Sequence, residues 1–226
     1  ILIPLVAAAI MLLYDERRRK LKQGIGLAAC GLQLIVAVAL ILHAKDSTEA
    51  VSVYLLGDWP SPYGIVLVLD RLSAMMVMLT ALLAAPSLIY AAAGWHGKGQ
   101  HYHSMFQFLL AGVNGAFLTG DLFNLYVWFE VLLISSFGLL ILGSEPEQID
   151  GALKYAILNL VATTLFLIAV AYVYGLFGTL NMADIARKAA VMDEVGPRLT
   201  IAARAPTMPR SVASASARPS TAIART

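Results

Sequence analysis

A single carboxylate, Glu130, lies deep inside an apolar run, and its position limits the chemistry that it can do. The run covers residues 122–142 and reads LFNLYVWFEVLLISSFGLLIL. About twenty apolar residues in a helix cross the roughly 30 Å hydrocarbon core of a bilayer, which puts Glu130 near the middle. An ionised carboxylate there costs at least about 2.5 kcal/mol, so it is expected to be protonated, paired with a buried cation or wetted by an internal cavity. Each state couples to proton or cation movement, and the position therefore predicts an ion pathway.

Further polar groups lie in the next apolar run, residues 151–177. Lys154 is about one turn inside it, and its long stem can extend to the membrane interface. Position alone favours that interpretation slightly over a functional lysine. Asn159, Thr163 and Thr164 can line a hydrated path, but they can equally hydrogen-bond to a neighbouring helix. These residues alone do not decide between the two roles.

Asp121 stands at a break in a longer apolar stretch, residues 104–142. That stretch would be roughly 58 Å long as one helix, too long for one crossing. The break is expected at Thr119-Gly120-Asp121, so Asp121 falls near the N-terminus of the helix that follows. The helix dipole favours a carboxylate there. Capping is the favoured role for Asp121, and the entrance of an ion path is the alternative.

The composition of the 226 residues indicates a membrane protein. Hydrophobic residues make up 59% and charged residues 13% of the chain, and the mean hydropathy is +0.76. The net charge of +2 does not indicate nucleic-acid binding. With Cys30 as the single cysteine, one copy can form neither a disulfide nor a cysteine-based metal site. No nucleophile, metal cluster or phosphate loop stands out, so no catalytic residue, metal or cofactor is predicted.

Hydropathy and turn signals predict an all-α membrane protein with about six transmembrane helices. Their expected bounds are residues 1–13, 24–42, 71–93, 104–118, 122–142 and 151–177. Residues 49–69 are expected to form a loop outside the cytoplasm with a short hairpin. A basic cluster follows the first helix and predicts a cytoplasmic first loop by the positive-inside rule. It consists of Arg17, Arg18, Arg19, Lys20 and Lys22.

The last part of the chain changes character twice. Residues 181–199 have the pattern of an amphipathic segment, expected outside the cytoplasm. Residues 200–226 are rich in Ala, Arg, Ser, Thr and Pro, lack acidic and aromatic residues, and are expected to be disordered. Together with a first residue that is not methionine, this tail suggests a truncated reading that has shifted frame. Sequencing the DNA around Leu199 tests that hypothesis.

Two strings carry a resemblance to a known family. They are AGVNGAFLTGDLFNLYVWFEVLLISSFGLLILG and GALKYAILNLVATTLFLIAVAYVYGLFGTLNMADIA. The chain resembles the D subunit of the Mrp (also Mnh or Pha) multisubunit sodium/proton antiporters. Their superfamily includes the antiporter-like proton-pumping subunits of respiratory complex I. The resemblance covers about residues 1–199, and the wording of GDLFNLYVWFE favours the D subunit.

The resemblance implies a larger fold and names two ionisable residues. Family members have about fourteen transmembrane helices, including two inverted five-helix repeats, and the six predicted here match the N-terminal part. The key glutamate of the fifth helix matches Glu130, and the lysine of the sixth helix matches Lys154 in ALKYA. This match raises the functional interpretation of Lys154 above the interfacial one. The family's further lysine, on the seventh helix, has no counterpart here.

The implied function is that of a membrane subunit in a monovalent cation (Na⁺ or K⁺)/proton antiporter. Such a subunit works in a hetero-oligomer in the bacterial plasma membrane and is a secondary transporter, not an enzyme. The alternatives are a proton-translocating subunit of a complex I-like NADH–quinone oxidoreductase and a non-transporting fragment. Glu130 and Lys154 are expected to lie on the order of 12 Å apart in depth, too far for a direct ion pair. We expect that the chain alone does not transport ions.

Overall fold

A computed structural model describes residues 1–14, 18–46, 51–59, 63–94 and 101–195. The predicted tail, residues 200–226, and Arg17 of the basic cluster lie outside the described residues. Helices dominate, as the predicted fold class requires, and a short β-hairpin interrupts them. In chain order the elements are α1 (Leu2–Leu13), α2 (Arg19–Asp46), β1 (Val51–Leu55), β2 (Val66–Asp70), α3 (Arg71–Gly94), α4 (Tyr102–Leu118), α5 (Leu122–Leu140), α6 (Pro146–Phe177) and α7 (Met182–Val195).

Four of the described helices, α2, α3, α5 and α6, are long and apolar enough to cross a membrane. The other two predicted crossings are shorter, since α1 has 12 residues and α4 has 17. At a rise of 1.5 Å per residue, α4 is about 25 Å long. Pro86 lies inside α3 without ending it, as expected for a proline in a membrane helix.

Two helices begin earlier than the hydropathy pattern predicts. α2 begins at Arg19 rather than near residue 24, because lysine and arginine are good helix formers although they are not apolar. α6 begins at Pro146 rather than near residue 151, and proline is favoured in the first turn, where its missing N–H is not needed. Lys154 therefore lies about two turns inside α6, one turn deeper than predicted.

Helix α4 packs against α1, α2, α3 and α5, and glycines allow α5 to come close. A β-carbon at Gly112 would lie 3.0 Å from the backbone nitrogen of Leu132 on α5. A β-carbon at Gly115 would overlap the indole ring of Trp128, also on α5. Small residues at helix contacts of this kind are typical of membrane proteins. Helix α5 is thus held against the α1–α4 bundle along one face.

The β-hairpin extends into a small sheet at one end of the bundle. Strands β1 and β2 pair antiparallel, with Val51 opposite Asp70. The segment after α4 continues the pairing, since Leu67 of β2 bridges to Thr119. The Gly120 N–H donates to the Val66 carbonyl at 2.8 Å. The α2–α3 and α4–α5 connections therefore meet, and we call this the outer end, following the predicted topology.

The α6–α7 connection completes the sheet. Asp121 and Asn181 form an antiparallel bridge. On either side of it the Leu122 N–H donates to the Leu180 carbonyl and the Met182 N–H donates to the Gly120 carbonyl, both at 2.9 Å. All these contacts lie within one compact unit, residues 1–185, and a second unit from residue 186 holds the rest of α7. The three outer connections are therefore joined by backbone hydrogen bonds.

Candidate functional site

A cleft of about 180 Å³ lies between α5 and α6, and Glu130 is part of its wall. Helix α6 contributes the polar side chains of Tyr155, Asn159 and Thr163. The rest of the lining is apolar: Leu133, Ile134, Phe137, Ala156 and Leu160. The structure thus brings together three of the predicted site residues, Glu130, Asn159 and Thr163. A carboxyl group that lines such a cleft can be reached by water.

Glu130 is half-buried and lies in the middle of α5. The Tyr126 side chain, one turn before it on the same helix, lies close enough to the Glu130 carboxyl group to interact with it electrostatically. A phenol hydroxyl donates to an ionised carboxylate and can accept from a protonated one. Tyr126 can therefore serve both protonation states of Glu130.

Side-chain contacts bound the cleft on both sides. Toward the outer end, Tyr126 stacks on Phe166 of α6, with ring centroids 6.3 Å apart. Phe129 meets the same ring edge-on at 6.0 Å. Toward the opposite, inner end, the Ser136 hydroxyl lies 3.0 Å from the Tyr155 hydroxyl. Glu130 thus faces a pocket between an aromatic cluster and a polar bridge.

The polar residues of α6 differ in how they relate to the cleft. The Asn159 Nδ2 donates to the Tyr155 carbonyl at 2.9 Å. Thr163 and Thr164 both donate to the Leu160 carbonyl, at 3.2 and 2.7 Å. Only Thr163 of these two belongs to the cleft lining, whereas Thr164 is exposed beside it. The structure therefore separates two threonines that the sequence treats alike.

Lys154 does not belong to the cleft lining. Its side chain is 72% exposed, and its Nζ lies 2.6 Å from Oδ2 of Asp150, one turn earlier on α6. Its neighbour Tyr155, which forms the polar bridge with Ser136, lines the cleft. About 7.5 Å of helix separates Lys154 from Asn159. Lys154 and Glu130 are therefore two separate ionisable sites on the α5–α6 pair.

Asp121 is buried at the N-terminus of α5, where it caps the helix. Its Oδ1 accepts from the Phe123 N–H at 2.9 Å and from the Asn124 N–H at 3.0 Å. The Asn124 side chain in turn donates to the Thr119 hydroxyl at 2.9 Å. Because these bonds occupy Asp121 at the sheet, the structure brings it to the outer end of α5 and not to the cleft.

Sequence reasoning missed a second polar set, which lies inside the α1–α4 bundle. Its members are all buried: Lys22, Gln33, Ser104, Gln107 and Asn114. Gln107 and Asn114 are seven residues apart, nearly two turns, so they share one face of α4. That spacing of amides in an apolar helix was the available signal. The burial of Lys22 has no signal in the sequence, because Lys22 stands in a cluster of basic residues that are expected to be exposed.

Comparisons with known proteins agree with the resemblance seen in the sequence. Residues 119–203 match the transmembrane family of NADH:quinone oxidoreductases and Mrp antiporters. A probable K⁺/H⁺ antiporter D subunit of Rhizobium meliloti (strain 1021) is 50% identical over 196 residues, covering 85% of this chain and 36% of the relative. A Na⁺/H⁺ antiporter D subunit of Alkalihalophilus pseudofirmus is 40% identical over 198 residues, covering 87% and 40%.

Solved structures show the same fold. The Mrp complex from Dietzia sp. DQ12-45-1b contains a chain with a TM-score of 0.74 and 35% identity, covering 79% of this chain and 34% of that one. A chain of the membrane-bound sulfane sulfur reductase, an archaeal respiratory membrane complex, has a TM-score of 0.77 and 25% identity, covering 88% and 40%. The apolar helices and the bacterial relatives place this chain in the plasma membrane. The chain is thus similar in sequence and in fold to Mrp-type antiporter D subunits, and it spans 36 to 40% of the length of these relatives.

Proposed function

We propose that the chain forms part of the ion-translocation path of a monovalent cation/proton antiporter, with Glu130 as the central exchanging group. One observation carries the proposal: Glu130 lines a cleft between two membrane helices, together with polar side chains of α6. The names of the relatives, K⁺/H⁺ and Na⁺/H⁺ antiporter subunits, support the ions H⁺ and Na⁺ or K⁺. The partners are the other subunits of a hetero-oligomeric complex, and the activity is secondary transport.

Glu130 acts by alternating between its protonated and ionised forms. In an apolar environment the ionised form needs a compensating cation or hydrogen bonds, so proton release is coupled to the arrival of a cation or a new proton. Tyr126 and the oxygens of Asn159 and Thr163 supply the polar surroundings. The apolar remainder of the lining limits how much water enters. Proton release and cation movement are therefore linked at one carboxyl group.

Lys154 acts as a second ionisable station nearer the inner end, paired with Asp150. An exposed ion pair of this kind forms and breaks at little cost, which suits a group that must exchange partners. The hydroxyl pair of Ser136 and Tyr155 lies at the cleft, and Tyr155 is the next residue after Lys154. We propose that it relays protons between Lys154 and Glu130, since hydroxyl groups both donate and accept.

The test is cation/proton exchange in inverted vesicles from a host that lacks its own antiporters. The chain is co-expressed with the other subunits of its complex, and the pH gradient is followed while Na⁺ or K⁺ is added. Glu130→Gln keeps the size of the side chain but cannot ionise, so exchange is expected to fall to the background. Glu147→Gln is the matched control, because Glu147 is an exposed carboxylate in the first turn of α6.

Each outcome of this assay either supports or contradicts the proposed role of Glu130. Loss of exchange with Glu130→Gln and full exchange with Glu147→Gln supports the proposal, provided that both variants reach the membrane in equal amounts. Unchanged exchange with Glu130→Gln overturns the central role of this carboxyl. The chain expressed without its partners is expected to give no exchange, and exchange by the chain alone contradicts the need for a complex.

A complex I-like role is the second candidate, because the matching family includes NADH:quinone oxidoreductases. It has less support, since the relatives described above are named antiporter subunits. The two roles differ in what drives the ions. Exchange that follows an imposed pH gradient supports antiport, whereas proton movement that requires an electron donor supports the redox-driven alternative.

A further inference from the structure

A row of polar side chains lies inside the α1–α4 bundle, apart from the Glu130 cleft. On α4, Ser104 and Gln107 are fully buried and Asn114 is 4% exposed; on α2, Gln33 is 6% exposed. None of the four is charged, and none lines the cleft between α5 and α6. They therefore need an explanation of their own.

The register of α2 and α4 brings these residues into layers. Gln107 Nε2 donates to the Gly26 carbonyl of α2 at 3.0 Å and lies 3.5 Å from Sγ of Cys30. Both helices end at the sheet of the outer end and so run in the same direction. Gln33 is seven residues beyond Gly26, and Asn114 is seven beyond Gln107. Seven residues are nearly two turns and about 10 Å, so Gln33 and Asn114 lie at the same depth on the facing sides.

Several of these polar atoms have no hydrogen-bond partner among the residues that the structure describes. They are both amide atoms of Gln33, Oδ1 of Asn114, Oε1 of Gln107 and the Ser104 hydroxyl. Buried polar groups in proteins almost always have partners, either protein atoms or ordered water. Four such residues in one row point to a ligand that occupies the space between α2 and α4.

The chemistry of the row selects water over a cation. A monovalent cation would satisfy the oxygens of Gln33 and Asn114 but would leave the Gln33 amide N–H group without an acceptor. Water both donates and accepts, and a buried water is typically held by two to four polar groups. This choice of water does not depend on which way the Gln33 amide is oriented. Both its oxygen and its nitrogen lack a hydrogen-bond partner among the described residues.

An apolar cluster closes the row toward the outer end. Ala37 is one turn beyond Gln33 on α2 and packs with Val77 and Ala81 of α3. Phe117 and Leu118 of α4, just beyond Asn114, pack against the same cluster. The polar row therefore ends inside the membrane and does not cross it.

We propose that bound water occupies a blind column between α2 and α4, from Ser104 to the layer of Gln33 and Asn114. The column ends at the cluster of Ala37, Val77 and Ala81. It hydrates the interior of the bundle from the inner side without joining the Glu130 cleft. This proposal goes beyond the antiporter function and does not depend on it.

The single cysteine of the chain is a built-in probe, because Cys30 lies between the Gln107 layer and the Gln33 layer. The infrared S–H band of Cys30 is followed after the full chain in lipid bilayers is transferred to D₂O. The matched control is Ala37→Cys in a Cys30→Ala background. Ala37 and Cys30 are both fully buried, lie seven residues apart on one face of α2 and each pack in an apolar cluster. They differ in that Cys30 Sγ also lies 3.5 Å from Nε2 of Gln107, a member of the polar row.

We expect the Cys30 thiol to exchange its hydrogen at least about tenfold faster than the Ala37→Cys thiol, since exchange requires contact with water. The Gln33→Leu, Asn114→Leu double variant should slow the exchange of Cys30. Equal exchange rates of the two thiols overturn the proposal, and this comparison stands even where the double variant does not fold. Glu130→Gln should leave the exchange of Cys30 unchanged, which separates this proposal from the antiporter function.

Discussion

The α1–α4 bundle and the α5–α6 pair differ in how far they enclose their polar side chains within the chain. Within the chain, 28% of the α2 span and 33% of the α3 span are buried, but only 11% of α5 and 6% of α6. The bundle encloses the neutral amides of Gln33 and Gln107 and also the buried Lys22 near the start of α2. The pair carries ionisable groups, Glu130 in a cleft and Lys154 at an exposed position. Within this chain, Glu130 and Lys154 thus lie on the two membrane helices that are least covered by the others.

The difference has a physical reason. A neutral amide in a dense interior can be satisfied by hydrogen bonds that never change. A carboxyl group that gains and loses a proton needs surroundings that can rearrange, because the two states require different partners. Four measurements distinguish a fixed bundle from an adaptable pair, ordered from the largest expected effect to the smallest.

The largest effect is expected where the two regions are joined. Gly115→Val places side-chain atoms into the Trp128 indole and forces α5 away from α4. We expect a loss of about 3 kcal/mol in the free energy of unfolding, measured by circular dichroism in mixed detergent micelles. Gly151→Ala on α6 is the control, because no atom lies within 4 Å of its added carbon. Equal destabilisation by both changes would mean that α5 is not held by the bundle.

The sheet at the outer end is expected to contribute less. Asp121→Ala removes the acceptor for two backbone N–H groups of α5. Loss of a helix cap costs about 1 kcal/mol, so the free energy of unfolding should fall by that amount, while ion exchange is largely retained. Complete loss of exchange in well-folded Asp121→Ala protein would instead support the alternative that Asp121 is the entrance of the ion path.

The two threonines of α6 test the cleft within the pair. Thr163→Val removes a hydroxyl from the cleft lining, whereas Thr164→Val removes one that donates to the same Leu160 carbonyl outside it. We expect exchange to fall several-fold with Thr163→Val, which corresponds to roughly 1 kcal/mol for one lost hydrogen-bonding group. With Thr164→Val the rate of exchange should stay near that of the original chain. The vesicle assay measures both, and equal rates would remove Thr163 from the path.

The smallest expected effect is on the acid dependence of stability, through Asp70 and Ser73 at the start of α3. Asp70 Oδ1 accepts from the Ser73 N–H at 2.6 Å, and Ser73 Oγ accepts in return from the Asp70 N–H at 2.9 Å. These hydrogen bonds lower the pKa of Asp70. A lowered pKa contributes stability that is present above the ordinary aspartate range near pH 4 and is lost as the pH falls through the folded-state pKa.

Asp70→Asn should therefore remove this part of the acid dependence. The unfolding free energies of the original and the variant are compared at neutral pH and below the aspartate range. The difference between them should shrink as the pH falls. A difference that is constant with pH would show that the Asp70 charge does not contribute to the stability of the bundle.

Much of the helical layout follows from hydropathy alone. The predicted helix at residues 71–93 compares with α3 at Arg71–Gly94, because a continuous apolar stretch with a polar residue before it leaves few alternatives. The placement of Glu130 in one cleft with Asn159 and Thr163 could be anticipated, because helices that follow one another in the chain usually pack together. The pairing of Thr119 with Leu67 and the burial of Lys22 could not be predicted, since both depend on contacts between residues distant in sequence. The Lys154–Asp150 pair was missed because the predicted α6 begins after Asp150.

The backbone hydrogen bonds at the outer end have a mechanical consequence. They fix the start of α5 and the end of α6 to one another, so the outer end acts as a pivot. Glu130 is about 13 Å along α5 from that pivot, and Lys154 is about 38 Å from it along α6. On α6 itself, the cleft residues Asn159 and Thr163 lie about 30 and 24 Å from the pivot, so a small swing of α6 would displace Lys154 only about 1.3 to 1.6 times as far as the cleft wall. A movement of α6 about the outer end would therefore widen the cleft and shift the Lys154–Asp150 ion pair together.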